Sequence, residues 1–128
     1  MPKVTLSLRR ALLAVAIVAG LIWGSLGVAH RWRASQKIRE YERLVALGRT
    51  HVSEYARMAQ LEASKASQLR AVAQKGEPEE RVWAERRAEF YDDQARRFAA
   101  KAAEFEEYVT LFTGRKAEVQ RTMNWPFW

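Results

Sequence analysis

Nineteen consecutive residues, Ala11 to Ala29 (ALLAVAIVAGLIWGSLGVA), carry no charge, and Ser25 is their only polar side chain. As α-helix such a stretch rises about 28 Å, close to the hydrocarbon thickness of a bilayer. It reads as a transmembrane helix, with the lipid bilayer as its first partner. The rival is a secretory signal. The opening MPKVTLSLRR resembles an n-region, and Gly27-Val28-Ala29 fits the small-x-small cleavage pattern. Apolar character that persists to Leu26 outlasts a usual signal core and favours retention.

Charge follows the apolar run. Of 22 Lys and Arg, only Lys3, Arg9 and Arg10 precede the span, in a basic flank over residues 1–10. After Ala29, 19 bases face 15 acids, so the net charge of +7 is spread over a mixed-charge surface. That pattern does not form a nucleic-acid stripe, and nucleic acid is not an expected partner. Arg31, Arg33, Lys37, Arg39 and Arg43 follow the span closely, five bases against three. The positive-inside bias then places the C-terminal part in the cytoplasm, with an extracytoplasmic placement as the alternative. There is no Cys, which excludes a disulfide framework and thiolate metal sites.

Inside the span, Ala16, Gly20 and Gly24 recur every four residues, and Gly20 to Gly24 is a GxxxG. Such a face lets two helices approach until their backbones touch, so it is the expected site of transmembrane association. Trp32 suits an interfacial anchor.

Residues 30–75 contain no Pro, and Gly48 is their only Gly; Ala, Leu, Arg, Glu, Gln and Lys dominate. This composition predicts one long outgoing helix. Gly76 and Pro78 then mark a turn over 76–78: Gly closes a helix in the left-handed region, and Pro opens the next one. A return helix is expected over 78–113, stopped near Gly114. So short a connection makes the helices antiparallel. The fold class is therefore all-α: an N-terminal transmembrane helix (11–29) followed by a long antiparallel coiled-coil hairpin.

The heptads carry that hairpin. Tyr91, Phe98, Phe105 and Phe112 fall seven apart, with Ala88, Ala95, Ala102 and Val109 in the other seam position. The outgoing seam runs Ile38, Tyr41, Val45, Gly48, Val52, Tyr55, Ala59, Glu62, Ala66, Leu69 and Ala73. If the turn sets residue 75 against 78, Tyr41 faces Phe112, Gly48 faces Phe105, Tyr55 faces Phe98 and Glu62 faces Tyr91. Gly48 is then expected to make room for Phe105, and Glu62 to accept a hydrogen bond from the Tyr91 hydroxyl.

Leu44, Leu47, Met58, Leu61 and Val72 on one helix, and Trp83, Phe90, Tyr108 and Leu111 on the other, form ridges beside the seam. Two helices cannot cover this surface, so a homo-oligomer or a larger membrane complex is expected. The tail, residues 114–128, carries Arg115, Lys116 and Arg121, then Trp125, Phe127 and Trp128. Bases with aromatics suit the headgroup layer or a partner's groove.

No phosphate loop, dinucleotide fingerprint, zinc motif or nucleophile elbow is present, and no nucleophile–base pair is evident. No catalytic residue, metal, cofactor or small-molecule substrate is expected. The opening Leu6-Ser7-Leu8-Arg9-Arg10-Ala11-Leu12-Leu13 resembles the start of many small single-span bacterial membrane proteins, a resemblance that implies anchoring and no activity. The function expected is a membrane-anchored structural or scaffolding subunit. The alternative is a secreted basic helical protein, a holdase-like chaperone or anionic-surface binder.

Overall fold

The computed structural model describes the backbone of residues 2–124 and the side chains of residues 7–124. They form two helices packed as a hairpin: α1 (Pro2–Lys75, 74 residues) and α2 (Pro78–Met123, 46 residues). At 1.5 Å per residue α1 is about 111 Å long and α2 about 69 Å. The apolar run and the outgoing arm belong to one unbroken helix, because nothing between Ala29 and Gly48 interrupts the run of helix formers.

The turn departs from expectation. No glycine among the described residues has positive φ, so Gly76 does not close α1 in the left-handed region. The reversal is made by Glu77, extended at φ −67° and ψ 162°, before Pro78 at the helix start. Proline disfavours helical geometry in the residue before it, which explains Glu77. The Arg81 amide donates to Glu77 O at 2.9 Å, while its side-chain Nε donates to Ala73 O at 3.2 Å. One arginine thus helps close α1 and open α2, answering a carbonyl that the end of α1 leaves unpaired.

The return helix is also longer than expected. It does not stop at Thr113 but passes through Gly114 to Met123, where the Asn124 amide donates to Gln120 O at 3.1 Å. A single glycine costs a helix only about 1 kcal/mol. Val119 and Met123 repay that by continuing the seven-residue seam, half-buried, beyond Phe112. Opposite them Ala34 is buried to 7% exposure, well before the first expected seam residue, Ile38.

The seam itself lies where the heptads place it. Each of the eleven outgoing positions from Ile38 to Ala73 is buried or half-buried, and so are all eight on α2 from Ala88 to Phe112. The core is thin. Its buried apolar members are Ala34, Val45, Ala66, Ala73, Ala84, Ala88 and Ala102, so among the described residues no side chain larger than valine is out of solvent.

Candidate functional site

The seam is an aromatic ladder spaced by alanines. Tyr41 stacks on Phe112 with ring centroids 6.1 Å apart, and Tyr55 on Phe98 at 6.2 Å. Both pairings are those the turn dictates. Tyr55 also stacks on Phe105 at 5.6 Å, so it bridges two rungs. Offset pairs of this kind add about 0.5–1.5 kcal/mol each beyond the area they bury. Alanines between the rungs let the two backbones approach.

Two seam contacts differ from the sequence reading. A Cβ on Gly48 would lie 2.7 Å from Val109 Cγ2, so the side chain that needs this glycine is Val109 rather than Phe105. Phe105 leans instead toward His51 at 4.9 Å and meets the edge of Tyr108 at 6.2 Å. His51 is a residue that the seam heptads miss; its place one turn from Tyr55 on the seam's margin is the signal that it would stack. Glu62 does not rely on the Tyr91 hydroxyl. Its carboxylate accepts from Lys65 Nζ at 2.7 Å, and that ammonium lies 5.3 Å from the Tyr91 ring centroid. A cation four atoms along a flexible stem reaches both partners, which a fixed phenol cannot. The Glu62 hydrogen bond raises the Lys65 pKa above its ordinary value, and Glu104 raises that of Lys101 in the same way.

The hairpin has two unlike flanks. In an antiparallel pair, equivalent heptad positions of the two helices lie on the same side. One side carries the charged contacts between helices: Arg70 with Asp92, and Lys116 Nζ with Glu42 at 2.8 Å. The other carries Leu47, Met58, Leu61 and Val72 from α1, exposed by 47–61%. Beside them stand Trp83, Phe90, Tyr108 and Leu111 from α2, exposed by 46–59%. Leu44 is half-buried on the same side, and among the described residues Trp32 and Val82 are the large apolar side chains of the hairpin exposed on the ion-paired side.

Continuing the seam's heptads back from Ala34 leads to Gly27, Gly24 and Gly20. Gly20, Gly24 and Gly27 therefore look toward the side on which α2 packs lower down, while Ala16 falls in the heptad position of Leu44 and Met58. A Cβ added at Gly20, Gly24 or Gly27 would meet nothing within 4 Å. This face and the apolar flank occupy different sides of α1. Trp32 is 62% exposed at the start of the arm.

The tail residues separate into two groups. Lys116 is engaged with Glu42 on α1, whereas Arg115 and Arg121 are exposed on the last turns of α2. Seam register sets Arg121 near the level of Arg33, so bases of both helices gather at one end of the hairpin. Trp125, Phe127 and Trp128 lie outside the described residues. Among the described residues no group of three His, Asp or Glu side chains is arranged to hold a metal ion.

α1 is the one helix among the described residues long and apolar enough to cross a membrane; its apolar window has mean hydropathy 2.3 and is unburied. No family model matches the chain, and no curated protein or solved structure is significantly similar to it. The resemblance of the opening residues to small single-span proteins therefore assigns no family.

Proposed function

We propose that this chain is a single-pass membrane protein whose antiparallel coiled-coil hairpin serves as a structural or scaffolding subunit, binding itself or a larger membrane complex without catalysis. The observation that carries the reading is the pairing of two surfaces on one helix. α1 begins as an exposed apolar rod and continues into a hairpin with an exposed apolar flank. A helix apolar on every face wants lipid, and an apolar flank of this size wants a protein. Because α1 is unbroken, whatever holds the rod also holds the hairpin at a fixed height. Arg115, Arg121 and Trp32 then stand where anionic headgroups would meet them. The five-to-three count of flanking bases favours a cytoplasmic hairpin.

Carbonate extraction of native membranes, followed by intact mass, tests the reading. A chain that stays with the lipid and has the mass of all 128 residues supports it. A soluble chain beginning at His30 supports the secreted alternative instead. Protease protection of the hairpin in sealed vesicles tests the orientation.

A further inference from the structure

We infer that the apolar flank binds a second copy of this chain, standing in the same direction and at the same height. The inference rests on the membrane-anchored reading for its geometry.

The area fits such an interface. The eight exposed side chains of the flank leave open roughly 900 Å², against about 800 Å² that each partner buries in a standard-size interface. The largest patch on an ordinary monomer is about 300–600 Å². The hairpin also has only a thin core of its own, since its buried apolar side chains are six alanines and one valine. A second apolar flank supplies the large side chains that the seam omits.

The flank is layered, and the layers fix the partner. By the register of Tyr41 with Phe112 and Tyr55 with Phe98, Leu44 and Leu47 stand level with Tyr108 and Leu111. Leu61 stands within about a turn of Phe90, and Val72 is level with Trp83, while Met58 lies toward Arg97, which Asp93 holds at 2.9 Å. Charged side chains stand among these tiers, Lys65 at the level of Tyr91, and most are held by a partner in their own chain. His51 sits 3.7 Å from Glu54, and Lys101 2.9 Å from Glu104. Lys65 is held by Glu62, and the Arg87 guanidinium lies 5.8 Å from the Trp83 ring centroid. Like layers can therefore face like layers with little charge repulsion. A copy anchored in the same bilayer arrives with every tier already level, so a two-fold axis along α1 closes the pair and each tier meets itself.

The absence of cysteine makes the test direct. Ala46, Gln60 and Gln74 are exposed, lie two heptads apart on α1 and face away from the proposed interface. Spin labels on single variants Ala46→Cys, Gln60→Cys and Gln74→Cys of the full chain in bilayers report the distance between copies. The expected result is the same distance at all three positions, lost in Phe90→Asp and kept in Gly20→Leu. A distance shortest at 60 and growing toward 46 and 74 means antiparallel pairing and overturns the inference. So does absence of dipolar coupling, or coupling that Gly20→Leu removes and Phe90→Asp does not. Circular dichroism of Phe90→Asp checks that the hairpin still folds; an unfolded variant is replaced by Leu61→Asp under the same criterion. If carbonate removes the chain from the bilayer while the three distances stay equal, anchoring has failed and the pairing stands.

Discussion

Between Leu12 and Val28 the large apolar side chains of α1 are 53–69% exposed and point in every direction around the helix. Between Ile38 and Ala73 the same helix confines burial to positions three and four apart, where α2 packs. One backbone thus carries two kinds of apolar writing. The first has no period and suits a solvent that is apolar everywhere; the second has a seven-residue period and suits one neighbour along one line. The change occurs over His30–Arg33, where charges enter without breaking the helix.

Damage to one half should therefore leave the other intact. Phe105→Ala removes the ring that touches His51, Tyr55 and Tyr108. It should cost the hairpin about 3–4 kcal/mol, toward the low end for a half-buried phenylalanine. Thermal melting of the full chain in detergent should show the loss, while carbonate resistance stays unchanged. The converse is Val18→Arg, at the centre of the apolar half. It should disfavour insertion by about 3 kcal/mol. Extraction should then release more of the chain, with no change in hairpin melting.

Two glycines sharpen the contrast within the hairpin. Gly48→Ala gains about 1 kcal/mol of helix propensity, but its methyl would lie 2.7 Å from a Val109 methyl on a stiff β-branched side chain. Overpacking of this kind costs about 1–3 kcal/mol, so the net effect should be destabilising, by about 1 kcal/mol. Gly114→Ala meets nothing within 4 Å, so propensity acts alone and should stabilise α2 by about 0.5–1 kcal/mol. Melts of the two variants should move in opposite directions.

The period of the apolar residues and the chemistry of the turn are local, so the hairpin and its ring pairs were legible in the sequence. Tyr41 with Phe112 needs only the turn position and a seven-residue count. Three features were not. Gly48 meets Val109 because side chains lean along the helix axis, which residue counting ignores. Glu62 chooses Lys65 on its own helix because a flexible ammonium is a nearer partner than a phenol across the seam. Gly114 is helical because Val119 and Met123 pack beyond it, and tertiary burial outweighs one residue's propensity. Of the candidate interaction surfaces, the glycine spacing and the apolar ridges were visible as residues. That the ridges of both helices share one flank, with the ion pairs of Arg70 and Lys116 on the other, required the paired helices.

The smallest expected effect concerns pH. Lys65 and Lys101 have pKa values raised above the ordinary 10.5 by their hydrogen bonds to Glu62 and Glu104. Their contribution is complete at and below the ordinary lysine value and is lost as pH climbs through the raised values. Lys101 is exposed and Lys65 only half-buried, so the loss should be slight. Denaturation midpoints measured from pH 8 upward should fall above the ordinary lysine range, and less so in Glu62→Gln.

The continuity of α1 across the change of chemistry is tested most directly by one distance. Spin labels at Trp23→Cys and Met58→Cys, in the full chain diluted with unlabelled protein in bilayers, are separated by 35 helical residues. A single rod predicts a narrow distribution near about 52 Å. A broad or much shorter distribution would mean a hinge between the apolar half and the hairpin. Loss of the label at position 23 from the mature chain would mean that the rod is cut away. Either result would contradict the account.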